Sequence, residues 1–230
     1  MPSQRTPLPL ATRSAIWLVV LVCVAFGLMN TSYFWTLTHH EVPWSTRLLT
    51  SLIGEQFYNA SPHLAQWQTN HDRATGAIGT HAVIGGLALS LCALQFVPGL
   101  RQRSPRTHRL IGWGAVGMAA LSMAGALAFL RVTPLQQGFG GPIFGVGLWL
   151  LALSTLQSLW MGIMRPRKRR WRDHMGWMTL TTALLMSAPL LRVGYVAAGK
   201  LMDMNIDIAN IWMVSGLTMT TFWLCLAWVS

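Results

Sequence analysis

The chain has 230 residues, of which 53% are hydrophobic and only 10% are charged, with a formal net charge of +11. Soluble globular domains carry about a quarter charged residues, so this composition excludes an ordinary soluble fold. The apolar residues come in runs of about 20 with almost no charge, a length that spans a bilayer as an α-helix. The alternation of apolar and polar residues that is typical of a membrane β-barrel is missing. The sequence therefore predicts an all-α integral membrane bundle.

Six apolar runs predict six transmembrane helices, TM1 to TM6, which form a single membrane domain. A short tail, residues 1–13, precedes TM1, and an outer loop, residues 38–75, separates TM1 from TM2 and is expected to carry an interfacial helix. The predicted spans are residues 14–37, 76–97, 110–130, 142–164, 175–196 and 207–229. TM1 is longer than the apolar region of a signal peptide, which has about 7 to 15 residues, so we expect it to be retained.

The basic residues are divided unequally between the two sides of this path. Twelve Lys and Arg residues lie in the tail and in the loops that join TM2 to TM3 and TM4 to TM5, against five on the other side. Because an excess of basic residues normally stays in the cytoplasm, we expect both termini to be cytoplasmic. The same residues are expected to contact anionic lipid headgroups. This explanation of the net charge argues against nucleic acid as a partner.

TM2 carries polar side chains on one of its faces. His81 lies about one turn into the span, and its face continues through Gly85, Ala88, Cys92 and Gln95. Ionisable residues within a membrane are costly and usually face the bundle interior, so we expect His81 to do so, with Gln95 as a structural polar residue. Two interpretations of His81 stay open: a core histidine bonded to a neighbouring carbonyl, or a ligand or proton-transfer group.

Two clusters lie at the cytoplasmic mouths of TM3 and TM5. His108 and Arg109 open TM3, and Arg172, Asp173 and His174 open TM5. If these helices are neighbours, the two imidazoles face each other, as a bis-histidine haem or a metal ion requires. In the alternative interpretation, Asp173 is a structural acceptor at the start of the helix, while the Arg and His side chains bind lipid phosphates.

Arg192 lies about five helical turns beyond His174 on the same face of TM5. Either its side chain extends to the lipid headgroups, or it approaches His81 in a polar cluster near the outer surface. We therefore expect Arg192, like Arg109 and Arg172, to contact an anionic group or a lipid.

TM3 contains small residues at alternating steps of three and four. Gly112, Ala115, Ala119, Ser122 and Ala126 form one smooth stripe, and such stripes allow close helix packing in membranes. The stripe predicts that TM3 is central in the bundle, packed against a neighbouring helix or a flat cofactor.

Several of these residues recur in a recognisable order along the chain. A histidine followed by small residues and Gln-Phe precedes a basic loop ending in His-Arg-x-x-Gly, and an Arg-Asp-His-x-x-Trp-Met segment with a later arginine follows. The positions are His81, Gly85, Gln95, Phe96, Arg101, Arg103, Pro105, His108, Arg109, Gly112, Arg172, Asp173, His174, Trp177, Met178 and Arg192. Over residues 79–192 the chain resembles the bacterial multi-pass membrane proteins grouped as domain of unknown function 2306.

That resemblance implies a shared helical bundle in a bacterial cytoplasmic membrane and supplies no activity. A weaker likeness to membrane cytochromes of the b561 kind implies that His108 and His174 would hold a haem b.

Three functions stay open from the sequence. The first is electron transfer through a haem or metal held by His108 and His174, with His81 as a further ligand. The second is a small-solute or proton-coupled transporter, in which His81, Gln95 and Arg192 line the pathway. The third is a non-catalytic accessory subunit that binds a membrane protein partner. No nucleotide-binding, nucleophile or metalloprotease motif is present, so the residues specify no enzyme class.

Overall fold

The computed structural model describes residues 10–39, 44–54, 64–97, 99–135 and 141–201. These residues form ten helices and no strand. The helices are α1 Leu10–Asn30, α2 Ser32–His39, α3 Trp44–Ile53, α4 Leu64–Arg73, α5 Thr75–Leu94, α6 Leu100–Arg103, α7 Pro105–Val132, α8 Gly141–Arg167, α9 Trp171–Leu185 and α10 Ser187–Leu201.

Five stretches of these helices are long and apolar enough to cross a membrane. They are Leu10–Trp35, Thr75–Leu94, Pro105–Val132, Gly141–Arg167 and Trp171–Ala198. The prediction of an all-α membrane bundle is confirmed. The predicted sixth span, residues 207–229, lies outside the described residues, so the count of six and the location of both termini stay predictions.

The surface of the bundle carries many large apolar side chains, and some small polar ones are buried in its interior. Large apolar residues such as Leu18, Leu21 and Trp160 are exposed, whereas Ser122 and Thr181 are fully buried. Lipid solvates the apolar surface, so burial gives no hydrophobic advantage there, and helix contacts in membranes depend on small and hydroxyl-bearing residues instead.

Helix α5 is central, packing closely against α7 and also against α1, α2 and α9. Close approach depends on glycine: a Cβ added at Gly125 of α7 would lie 2.8 Å from the carbonyl oxygen of Ala77 in α5. Ala115, Ala119 and Ser122 of the predicted small-residue stripe are also buried, and the Ser122 hydroxyl donates to the His81 carbonyl of α5. Helix α8 packs against α7 and α9.

The last described span is interrupted. Helix α9 ends at Leu185 and α10 begins at Ser187. Pro189 has no N–H, so the carbonyl of Leu185 lacks its donor within the helix, which explains a break at this place. The break separates the part of the span that packs on α8 from the part that carries Arg192.

Helices α3 and α4 lie between the first two spans, within the predicted loop 38–75. Helix α3 packs against α10, and α4 packs against α5 and α7. Both therefore lie at the end of the bundle where α1 ends and α5 begins.

Candidate functional site

A cavity of about 340 Å³ lies inside the bundle and is lined by residues of α1 to α5 and of α7 to α10. It is closest to the end marked by Asn30 and His81, which we call the cavity end. The opposite end, where α5 and α8 finish and α7 and α9 begin, is the basic end. Most of the cavity wall is apolar, and polar side chains interrupt it at few places. The polar residues with the longest side chains there are Asn30, Tyr33, His71, His81, Arg192 and Tyr195.

His81 faces the bundle interior and lines this cavity. Its Nδ1 lies 3.1 Å from both the carbonyl oxygen and the hydroxyl oxygen of Ser122, and the Ser122 hydroxyl donates to the His81 carbonyl at 3.0 Å. Because a carbonyl can only accept, Nδ1 carries the proton of the neutral ring. Nε2 therefore keeps its lone pair, and none of the described residues bonds to it.

Arg192 reaches the same cavity from α10. Its Nη1 donates to the carbonyl of Ala188 at 3.0 Å, and its guanidinium carbon lies 5.0 Å from the centre of the Phe26 ring. An arginine has five N–H donors, so further donors are available to a ligand. Among the described residues that line the cavity, none is acidic. The cavity thus presents a cation against an apolar wall.

His71 borders the cavity from α4, with its ring edge-on to Phe129 at a centroid distance of 5.2 Å. Burial lowers the pKa of His71 to about 4, with a smaller opposing effect from the charge of Asp72. The side chain is therefore neutral near pH 7 and adds no charge to the cavity.

At the basic end, His174 has a structural task that the sequence interpretation did not include. Pro166 lies inside α8 and has no N–H, which deprives the carbonyl of Gly162 of its helical donor. The Nδ1 of His174 donates to that carbonyl at 2.8 Å. The histidine thus supplies the hydrogen bond that the proline removes.

His108 is paired with Gln95. With its amide oriented to satisfy both neighbours, Gln95 donates from Nε2 to the His108 Nδ1 at 2.7 Å and accepts from the Gly112 N–H at 3.3 Å. Asp173 forms an ion pair with Arg170 at 2.7 Å. The structure therefore assigns local contacts to both residues that the sequence marked as structural.

The structure brings together some of the predicted site residues and separates others. His81 and Arg192 line one cavity, whereas His108 and His174 lie at the other end of the bundle. His108 lies on α7, which packs mainly against α5, whereas His174 lies on α9, which packs mainly against α8. Arg109 and Arg172 are exposed at the basic end. In the ranges that the structure describes, no three His, Cys, Asp or Glu side chains form a group that would hold a metal ion.

Three of the long polar side chains in the cavity, Asn30, Tyr33 and Tyr195, were not identified from the sequence, nor were the shorter hydroxyl residues of its lining. Asn30 carried a usable signal, since an amide at the end of an apolar helix is costly unless it is bonded or faces a polar space. Its Nδ2 donates to the Phe26 carbonyl at 2.8 Å. Tyr33 and Tyr195 resembled ordinary interfacial aromatics, which gave no reason to place them in a cavity.

Residues 78–229 match the family model described as "Predicted membrane protein (DUF2306)", which covers more than half of the chain. The chain belongs to this family. The matched region contains His81, Gln95, His108, His174 and Arg192, and it leaves out α1 to α4. Comparisons with curated proteins and with solved structures gave no match. The family description states a membrane location and no activity.

Proposed function

We propose that this membrane protein binds a small amphipathic anion in the cavity and transports it across the bilayer. The observation that carries the proposal is the placement of Arg192 in a largely apolar cavity, whose described lining contains no acidic side chain. A cation in low-dielectric surroundings is stabilised by an anion, which a ligand would supply.

The size and lining of the cavity support one small molecule rather than a whole membrane lipid. Its volume of about 340 Å³ is at the lower end of ligand pockets, which span about 300 to 1,000 Å³. A single chain or ring would pack against Phe26, Leu89 and Phe144, while the anionic group would lie beside Arg192.

His81 is the group that would take up a proton when the anion binds. Its Nε2 carries a lone pair in the neutral ring, which cannot donate to an anion. A proton on Nε2 converts the ring into a donor, and an anion bound next to it favours the protonated form. Anion binding would therefore take up a proton, and transport would be proton-coupled.

The interrupted span supports movement. Helix breaks in membrane proteins are tolerated where they border a cavity, and transporters commonly build binding sites from such discontinuous helices. The break between Leu185 and Ser187 has this position, because both residues line the cavity.

The proposed setting is the cytoplasmic membrane of a bacterium, with the basic end inside. Arg109 and Arg172, exposed at that end, would contact anionic lipid headgroups. The cavity end would then face outward.

Equilibrium dialysis of radiolabelled hexanesulfonate against the protein in lipid nanodiscs tests this function, because a sulfonate stays charged throughout the working pH range. Arg192→Gln should weaken binding at least tenfold, or about 1.4 kcal/mol. Arg131→Gln is the matched control, since Arg131 is exposed in the last turn of α7. Binding of uncharged hexanol should not distinguish the variants. Equal hexanesulfonate affinities for both variants would reject the proposal.

Electron transfer by a haem b between His108 and His174 is a second candidate. Its support is that the Nδ1 of His174 donates to the Gly162 carbonyl, which leaves a lone pair on Nε2, and that the Nδ1 of His108 is in contact with Gln95. Fixing Nδ1 in this way is the usual means of orienting a histidine ligand. For His108 the Gln95 amide would have to accept rather than donate, because only an Nδ1–H leaves a lone pair on Nε2. A bound haem would supply one-electron chemistry at the basic end.

An absorption spectrum of the protein purified from haem-replete cells decides this candidate. A Soret band that is lost in His108→Ala and in His174→Ala, and kept in His81→Asn, would support it. A colourless parent protein would exclude it.

A further inference from the structure

Helix α3 has an unusual distribution of side chains. Its exposed face carries Trp44, Leu48 and Leu52, which are 54%, 44% and 50% exposed and follow each other at steps of four. Its inward face carries Ser45, which is buried, and Thr46, and both line the cavity. Three large apolar side chains in a row on an outward face indicate that lipid, not water, covers this face.

The exposed face of α3 also has a polar edge. With 3.6 residues per turn, Arg47 and Ser51 lie side by side next to Trp44, on the side away from Leu52. Both are exposed. An apolar stripe bordered by a basic, polar edge is the pattern of a helix lying in the membrane interface. Phe34 and Trp35 of α2 are likewise exposed.

Helix α3 is held over the cavity end by two pairs of hydroxyl groups. The Ser45 and Ser32 hydroxyl oxygens lie 2.8 Å apart, and those of Thr46 and Tyr33 lie 3.3 Å apart. On its other side α3 packs against α10, the helix of Arg192. Neutral hydroxyl pairs of this kind are weak and exchange readily with water or a ligand. Helix α3 therefore borders the cavity between α2 and α10, and these hydroxyl pairs join it to α2.

We propose that α3 is a lateral lid embedded in the membrane interface, through which the amphipathic anion passes between the cavity and the adjacent lipid leaflet. The proposal rests on the function proposed above for its ligand. The partner of the apolar stripe is the hydrocarbon of that leaflet. Because the stripe stays in lipid whether the hydroxyl pairs are formed or broken, the lid moves without exposing apolar surface to water.

Spin labelling tests the location of α3 independently of any ligand. Leu48→Cys and Leu52→Cys are labelled in the full chain in nanodiscs, with Ser51→Cys as the control on the polar edge and the labelled parent as the background. Labels at positions 48 and 52 should collide with oxygen and be protected from a nickel chelate, whereas the label at 51 should collide with the chelate. Chelate access at 48 and 52 would show a water-covered face and overturn the proposal. Protection from both reagents would show a protein cover, such as residues 202–230, and would also overturn it.

A reversible cross-link tests the movement. The Ser32→Cys/Ser45→Cys protein should form a disulfide, because its two hydroxyl oxygens are already in contact. Oxidation should slow the release of radiolabelled hexanesulfonate at least tenfold, and reduction should restore the rate. The reduced form carries the same two substitutions and so controls for the fold. Equal rates in the two forms would overturn the lid.

The two proposals fail in different ways. If the parent protein binds no hexanesulfonate, both the transport proposal and the passage of ligand under α3 are rejected. The spin labels still decide whether α3 lies in lipid. If hexanesulfonate binds and depends on Arg192, while the disulfide leaves its release unchanged, the lid alone falls.

Discussion

The cavity end and the basic end each contain a histidine fixed through Nδ1 to a backbone carbonyl of the neighbouring helix. His81 donates to Ser122 and His174 donates to Gly162. What differs is the surroundings of the ring. At the cavity end His81 shares an apolar cavity with a single arginine of the last described span, whereas His174 lies among many exposed basic side chains.

The two ends therefore differ in how their charges are solvated as well as in how many charges they carry. The basic end has most of the charge, and water and lipid headgroups can solvate it there. Arg192 is one charge among apolar neighbours, where solvation is poor and a ligand anion therefore has the greatest effect. We therefore expect substitutions at the cavity end to weaken ligand binding, and substitutions at the basic end to change stability without changing binding.

The largest effect is expected where α5 and α7 touch. Gly125→Ala would place a Cβ 2.8 Å from the Ala77 carbonyl oxygen and 3.1 Å from the backbone nitrogen of His81. Overpacking costs typically 1 to 3 kcal/mol, so the melting temperature in detergent should fall and hexanesulfonate binding should weaken. Gly117→Ala, on the same helix with nothing within 4 Å of the new Cβ, should be neutral or stabilising. Equal melting temperatures would contradict the close packing.

Two substitutions of His81 sharpen the assignment of its two nitrogens. Asparagine keeps a polar group near the Nδ1 position and loses Nε2, so His81→Asn should weaken hexanesulfonate binding about tenfold, or about 1.4 kcal/mol, with little loss of stability. Glutamine places an amide near the Nε2 position and does not titrate.

The pH dependence of binding follows from the same assignment. In the parent protein, affinity for hexanesulfonate should rise as the pH falls, because only the protonated ring donates at Nε2. In His81→Gln the affinity for hexanesulfonate should not rise as the pH falls. A constant affinity in the parent would show that no proton is coupled to binding.

A smaller effect is expected for His174, which should affect stability and not binding. His174→Ala leaves the Gly162 carbonyl without a donor and should lower stability by about 1 kcal/mol. Pro166→Ala restores an N–H within α8, so the cost of His174→Ala should shrink in that background. A double-mutant cycle of melting temperatures measures the coupling. Additive effects would show that the histidine does not compensate for the proline.

At His71 the expected effect is on the pH dependence of stability. Its unfolded form takes up a proton below about pH 6.5, whereas burial delays protonation of the folded form to about pH 4. Stability should therefore be highest above pH 6.5 and should fall as the pH drops from 6.5 towards 4. Over this pH range the melting temperature should change less in His71→Gln, which cannot titrate, than in the parent protein. An unchanged pH dependence would show that other groups control acid stability.

Much of the architecture was predictable because the bilayer limits the choices. Uncharged runs of helical length predict membrane helices, and the stripe around Ala115 and Ser122 predicts that α7 packs closely. The inward direction of His81 followed from the cost of an ionisable group in lipid.

The site was predictable only in part. The sequence left two placements open for the Arg192 side chain, at the lipid headgroups or near His81. The choice depends on how α5 and α10 are arranged, which the sequence does not show. The cavity itself is lined by residues from nine of the described helices, and no local sequence pattern predicts which side chains come together there. The task of His174 was accessible: a proline four residues after Gly162 leaves a carbonyl in need of a donor.

A side-chain-resolution map of the full protein in nanodiscs with hexanesulfonate would show whether an anion binds at Arg192. We expect density for the sulfonate within hydrogen-bond distance of the Arg192 guanidinium, with the chain of the ligand against Phe26. The claim would be contradicted by a cavity filled with side chains of residues 202–230 and by a carboxylate of that segment, Asp203 or Asp207, paired with Arg192 in place of a ligand.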